Sequence, residues 1–272
     1  MKMLRPFFVV CFLCVFSGLF AGSHAHAATL KERLEIALTR TEGAMEGVQA
    51  RSDVVFMISQ ARQLTGRKAS VALDRKIHEQ RNSGWVQETE YKLWEVRDKK
   101  LPRVTVRLPL KADPVLPTPK VALSPDQRFI LVLVLMQRAI NCTSSFDIYK
   151  DIGEPYFDYV SAHQLLSMMI AGGNGCLGQA AFARSAQPYI QRLYTEMVHH
   201  EGALTDLQVE RAAFIALAGR VDLVDGKLVE ALLDSQNAQG VWVFDMQPEH
   251  TSALAYLLLS AVYAEKFPPA RR

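Results

Sequence analysis

Leu233-Asp234-Ser235-Gln236-Asn237-Ala238-Gln239-Gly240-Val241-Trp242 sets a polar Gln-Asn pair, a glycine and a buriable tryptophan between two helix-forming runs. The run before it passes through Leu228, Ala231 and Leu232. The run after it opens at His250-Thr251-Ser252-Ala253-Leu254-Ala255-Tyr256 and extends to about Lys266. A helix, a turn containing Gly, and a second helix make an antiparallel hairpin.

The same pattern extends backward. Ser124 can cap a helix, Pro125 fits its first position, and Gln127 completes a capping box. The body that follows, Phe129-Ile130-Leu131-Val132-Leu133-Val134-Leu135-Met136, is apolar all round and is expected to be a central element with neighbours on every side. It is too short to span a bilayer and ends in Gln137-Arg138. A helix is then expected from about Tyr156 to Ala171, the breaker Gly172-Gly173-Asn174-Gly175, and a long amphipathic helix from Gln179 to His199. His199-His200-Glu201 suits a helix end, where His side chains meet the final carbonyls. Thr205 and Gln208 repeat the capping-box chemistry before Ala212-Ala213-Phe214-Ile215-Ala216-Leu217, and Asp222 to Asp225 opens another helix. Six helices in antiparallel hairpins are expected after residue 123.

Upstream, Leu30 to about Arg97 reads as charged helices, with Val54-Val55-Phe56-Met57-Ile58 as a buriable stripe and Ala69 to Gln80 as a second amphipathic stretch. Pro102, Pro109, Pro114, Pro117 and Pro119 then interrupt any helix, while Val104 to Leu108 alternates like a short strand. Four segments are expected: a signal peptide over 1–27, a helical segment over 28–100, an extended surface linker over 101–123, and a helical domain over 124–272.

The signal peptide is read from Lys2 and Arg5, the apolar run Phe7 to Ala21, and small residues at Ala25-His26-Ala27 before a cut at Ala28. An uncleaved anchor is the competing reading, but the run is shorter than the roughly 20 residues a span requires. Export places the chain in the periplasm or outside the cell, with membrane contact only through the leader before cleavage. Cleavage also removes Cys11 and Cys14, leaving Cys142 and Cys176 as an even pair in an oxidising compartment, where a disulfide is favoured over metal binding or catalysis.

The full chain carries 31 basic against 28 acidic residues. Such a balance provides no field to recruit nucleic acid or an anionic membrane. The cluster Lys99, Lys100, Arg103 and Arg107 is more simply a solvated linker than an anion site. Asn141-Cys142-Thr143 fits a glycosylation acceptor formally, but a bonded Cys142 would make it a poor one.

The order helix, Gln236-Asn237-Ala238-Gln239-Gly240-Val241-Trp242, then helix with Thr251 and Ala253-Leu254-Ala255 resembles the repeat of terpenoid cyclases and protein prenyltransferases over about Val209 to Glu265. The resemblance implies an all-α fold of antiparallel hairpins arranged as an α/α toroid or partial toroid. It also implies structural roles for Gln236, Gly240 and Trp242, the Gln closing an outer helix and the Trp fastening the hairpin. A degenerate echo stands at Gln80-Arg81-Asn82-Ser83-Gly84-Trp85, and Tyr159 to Leu166 resembles the opening of the His250 helix. An irregular helical bundle is the alternative. The aspartate-rich acid motif of protonation-type cyclases is missing, since Asp147, Asp151 and Asp158 are too widely spaced, so the activities do not carry over.

His163 and His250 each lie near the start of an expected inner helix, and a toroid would aim both starts at one end of its cavity. Asp158, Tyr159, Glu249 and Asp245 are their sequence neighbours, so the candidate acid–base set is His163, His250, Asp158 and Glu249. Local capping or packing bonds are the competing account of both histidines. A zinc site from His163, His250 and a carboxylate is chemically permissible, but no spacing demands it, and no metal or cofactor is expected. The common hydrolase and nucleotide motifs are absent from the sequence. Paired carboxylates, with Trp85, Trp94 and Trp242 stacking on sugars, would suit glycan cleavage, but the tryptophans have structural explanations.

The leading expectation is an exported helical binding protein whose partner is a protein or a glycan or lipid ligand. The alternative is an exported lyase or hydrolase acting on a glycan or lipid through His163 and His250. The two differ in a testable way: catalysis requires both rings in one open pocket with an acid in reach.

Overall fold

The computed structural model describes residues 28–47, 51–68, 72–75, 96–105, 123–143, 159–200, 202–244 and 247–268, together with 78, 93 and 110. The expected leader, most of the expected linker, Asp158, Asp245, Trp85 and Trp94 lie outside these residues. The fold is all-α, and no strand forms among the described residues. The long helices are α1 (Leu30–Met45), α2 (Ser52–Thr65), α3 (Pro125–Asn141), α4 (Tyr159–Gly173), α5 (Gln179–Val198), α6 (Asp206–Leu217), α7 (Gly226–Ser235) and α8 (Pro248–Lys266), with a 3₁₀ turn at Val221–Leu223.

Local chemistry sets where these helices begin. Thr29 with Glu32, Ser124 with Gln127, and Thr205 with Gln208 all close reciprocal capping boxes at the starts of α1, α3 and α6. Each satisfies backbone N–H groups that a helix start leaves without partners. At the end of α5, His199 is the C-terminal cap and its Nδ1 lies 2.8 Å from the Thr195 carbonyl.

The helices alternate in burial. In α4, α6 and α8 nearly every residue after the first turn is buried, and α2 is buried over most of Ser52 to Ala61. The odd-numbered helices α1, α5 and α7 each bury one stripe and expose the other face. α8 packs on α2 and on α6, α6 also packs on α4, and α5 bridges α4 and α6. One continuous core runs from Leu34 in α1 to Val262 in α8, so the N-terminal helices share it with the helices that follow residue 123.

Two expectations are corrected here. The apolar helix α3 is not central: Phe129 and Ile130 are 56% and 57% exposed, and among its residues only Val132, Leu135, Met136 and Ala139 are buried. It packs on α4, with Leu131 against the cluster of Leu135 and Val160, while Phe129, Leu133 and Ile140 line a cavity and Ile130 is exposed. The central helix is α8, whose small residues Ser252, Ala253, Ala255, Ser260 and Ala261 let neighbours approach from all sides.

The second correction concerns the start of the expected linker, which enters the core instead of crossing the surface. Leu101 and Val104 are buried, and the Val104 N–H donates to the Ala218 carbonyl at 2.7 Å. The glycines read as a breaker make this possible. A Cβ on Gly172 would come within 2.4 Å of Pro102 Cγ, and one on Gly173 within 2.9 Å of Leu101 Cδ2. The rigid Pro102 ring thus leaves no room for a side chain at Gly172, and Leu101 packs closely over Gly173.

The α7–α8 hairpin explains the turn tryptophan. Trp242 is fully buried, its Nε1–H donates to the Leu232 carbonyl at 2.7 Å, and its backbone N–H donates to Ser252 Oγ at 3.0 Å. It thereby satisfies a carbonyl in the last turn of α7, where a helix runs out of internal donors. Gln236 reaches further, donating from Nε2 to the Ala37 carbonyl, Thr41 Oγ1 and the Gly240 carbonyl, and so ties the turn to α1. Gly240 has φ +81°, and a Cβ there would stand 2.6 Å from the Arg40 carbonyl oxygen. Both the left-handed backbone and the approach of α1 exclude a side chain. Cys142 ends α3 and is disulfide-bonded to Cys176 beyond α4, with Cα atoms 5.1 Å apart.

Candidate functional site

The first turns of α2, α6 and α8 and the start of α4 face one pocket of about 710 Å³, walled on another side by α3. Its α3 wall is apolar, with Phe129, Val132 and Met136 among the lining residues, and Phe56, Met57, Leu166 and Phe214 extend that surface. Its polar end holds Asp53, Tyr159, His163, Asp206 and His250.

Both expected histidines therefore line the same pocket, and one buried carboxylate stands between them. Glu210 is 0% exposed; its Oε1 lies 3.3 Å from His163 Nδ1 and its Oε2 lies 3.7 Å from His250 Nε2. These are ion-pair contacts, and neither oxygen accepts a hydrogen bond of normal geometry. The neighbouring Arg211 does not serve Glu210, because its Nε pairs with Glu196 Oε2 on α5 at 2.8 Å.

Each ring is oriented by its other contacts. His250 Nδ1 lies 2.8 Å from Asp53 Oδ2, so this nitrogen carries a hydrogen and donates it, leaving Nε2 directed toward Glu210 and toward Asp206 Oδ2 at 3.9 Å. Asp53 is held by Arg51 Nε at 3.2 Å, and Asp206 accepts a hydrogen bond from the Thr251 hydroxyl. His163 Nδ1 stands 3.0 Å from the Tyr159 carbonyl, which can only accept, so Nδ1 is the protonated nitrogen and Nε2 remains for chemistry. The ring lies 4.0 Å from the Tyr159 ring and edge-on to Phe214.

The electrostatics follow from this packing. Burial would depress His250, but the hydrogen bond to Asp53, the close Glu210 carboxylate and the charges of both outweigh it and push the ring up to about 10. Burial likewise opposes ionisation of Glu210, yet the two histidines hold it down at about 2. Asp53 is held below the usual range by His250 and Arg51 against its own burial. Burial, reinforced by the charges of Glu210, Asp53 and Asp206, pushes the Tyr159 hydroxyl up. Without other ions, the polar end at neutral pH is thus an imidazolium among carboxylates, beside a neutral phenol.

Asp206 and Glu210 stand one helical turn apart on α6, and with His250 they offer three ligand atoms all within 4.8 Å of one another. That set has the donor types for a divalent cation.

Of the residues singled out from sequence, His163, His250 and Tyr159 meet at the pocket. Glu249 sits in the first turn of α8 and does not line it. Gln236, Gly240 and Trp242 belong to the hairpin turn. Among the described residues, the acids at the site are Asp53, Asp206 and Glu210. One signal could have found the last: Glu210-Arg211 interrupts a helix that is otherwise apolar from Val209 to Leu217, and charges in such a run must be paired inside the protein.

No protein-family model matches the chain, and neither curated proteins nor solved structures yield a match.

Proposed function

We propose that this protein is an exported hydrolase that takes a lipid-like substrate into the pocket, its apolar body along α3 and its polar group against the histidine–carboxylate cluster. The single observation that carries this reading is the shared position of His163 and His250 on either side of Glu210, at the polar end of a cavity whose opposite wall is built largely from apolar side chains of α3. His163 acts through Nε2 as the proton-transfer residue, with Nδ1 anchored on the Tyr159 carbonyl. Glu210 supports the two rings electrostatically, and the Tyr159 phenol supplies a neutral donor. The apolar lining favours a lipid over a glycan, because sugar hydroxyls would leave polar groups unpaired there. The alternation of buried and half-exposed helices, with the buried ones starting at the pocket, supports the partial α/α toroid that the α7–α8 turn resembles. Export rests on the N-terminal leader and is consistent with the Cys142–Cys176 disulfide.

The test is a panel of fluorogenic acyl esters, phospholipid vesicles and oligosaccharides offered to purified protein lacking residues 1–27. Hydrolysis of an acylated substrate, reduced by about 10²–10⁴-fold in His163→Ala with the fold intact, is the expected result. Saturable binding of an acyl chain without turnover would leave a lipid-binding protein instead. Neither binding nor turnover of any acylated probe would sink the lipid assignment.

A further inference from the structure

We propose that the polar end of the pocket is a divalent metal site, with Asp206, Glu210 and His250 as ligands and zinc as the fitting ion. This deepens the hydrolase reading of the same site but stands on its own geometry. The ligand atoms already converge: His250 Nε2 lies 3.9 Å from Asp206 Oδ2 and 3.7 Å from Glu210 Oε2. Zinc bonds to N and O of about 2.0–2.2 Å require ligand atoms closer than that, so binding draws the three side chains together by a small movement.

Two independent features single this cluster out from ordinary surface acids. Glu210 is fully buried, and its oxygens meet only the two imidazoles, at 3.3 Å and 3.7 Å and without a hydrogen bond of normal geometry, so a carboxylate that burial makes costly has room for a closer partner. Glu210 lies behind the pocket wall between the two imidazoles, and its carboxylate converges with Asp206 and His250, which do line the pocket. The second feature is the support around the ligands. His250 turns its Nδ1–H onto the Asp53 carboxylate, the outer contact that metal-bound histidines generally make, and Asp206 is itself hydrogen-bonded by Thr251.

Three protein ligands with a fourth position facing an open pocket match a catalytic rather than a structural zinc. His163 is not needed as a ligand: its Nδ1 is committed to the Tyr159 carbonyl. Zinc is chosen over magnesium or calcium because one ligand is an imidazole, and over copper or iron–sulfur chemistry because no thiolate or second ring is required. A metal at this site would lower the pKa of a bound water and so supply a nucleophile.

The experiment is calorimetric titration of chelator-stripped protein, lacking residues 1–27, with zinc chloride, without any substrate. The expected result is one ion per chain, a raised melting temperature, and affinity reduced at least 100-fold in Asp206→Asn. Asp53→Asn, which leaves every ligand in place, should weaken binding 10–100-fold. Because Glu210 is buried, Glu210→Gln is read only where circular dichroism matches the native protein. Zinc that fails to bind, or that binds equally well to Asp206→Asn and Asp53→Asn, overturns the proposal. Zinc bound in this pattern by a protein inactive on all acyl substrates would sustain the metal site while removing the hydrolase reading.

Discussion

His250 hydrogen-bonds to Asp53 across 2.8 Å, joining the first turn of α8 to the first turn of α2 over 197 residues of sequence. The bond fixes the ring so that Nε2 points to Glu210 and Asp206. Removing the Asp53 carboxylate should therefore loosen the ring rather than merely delete a charge. Asp53→Ala is expected to cost about 1–3 kcal/mol in urea denaturation, the usual penalty for orphaning a charged hydrogen-bond partner. Unchanged stability would mean that the ring is held by packing alone.

Trp242 fastens the α7–α8 turn with its whole surface and one hydrogen bond. Trp242→Ala should destabilise by about 3–5 kcal/mol. Trp242→Phe retains much of the area but leaves the Leu232 carbonyl without its donor, so a smaller loss of about 1–2 kcal/mol is expected. Equal losses in the two variants would show that the indole N–H, and not the packing, dominates.

Arg211 and Glu196 form a buried ion pair between α6 and α5. Either single change, Arg211→Met or Glu196→Gln, leaves an unmatched partner and should cost about 3–5 kcal/mol. The double variant should recover part of that loss, giving a coupling of more than about 1 kcal/mol in a double-mutant cycle. Strict additivity would assign the two residues independent roles.

Glu42 links α1 to Arg67 and to the buried Tyr256 of α8. Burial opposes its ionisation, but hydrogen bonds from Arg67 and Tyr256 and the charges of Arg67 and Arg62 hold its carboxyl below the ordinary 4.5. A depressed carboxyl stabilises the fold above its unfolded value, and that contribution disappears as pH falls through the lower folded value. Native protein should therefore exceed Glu42→Gln in stability at pH 7, with the gap narrowing below about pH 4.5. Denaturation curves at pH 7 and pH 3 decide it; a constant gap contradicts the role of the ionised form.

The Cys142–Cys176 bond closes a loop with a sequence separation of 34. In the chain-entropy account, Cys142→Ser with Cys176→Ser should cost about 3–4 kcal/mol. The bond itself is checked by mass spectrometry after alkylation without reductant, where neither cysteine should take up label.

Much of the local framework is legible in the residues. Ser124 and Gln127, and Thr205 and Gln208, form the boxes their spacing implies, because capping is settled by atoms three residues apart. Cys142 and Cys176 were the even pair left once the N-terminal cysteines were set aside. The error over α3 has an equally physical source. Apolar composition says that a helix avoids water but not what covers it, and the α3 side chains turn partly to a pocket that no local pattern encodes. Glu249 is adjacent to His250 in sequence, yet neighbours in a helix point in different directions, and the acids that face the ring come from α2 and α6.

By itself, the sequence determined the all-helical class, the helix starts, the hairpin turn around Trp242 and the two histidines worth watching. Those features depend on side chains within a few residues of one another and on hydrophobic periodicity. Only the tertiary structure decided that α1 and α2 share the core of the later helices, that residues 101–104 pass against Gly172 and Gly173, and that Asp53, Asp206 and Glu210 gather around His163 and His250. Burial in that shared core makes Glu210 depend on His163 and His250, and a cluster drawn from α2, α4, α6 and α8 can be assembled only by packing.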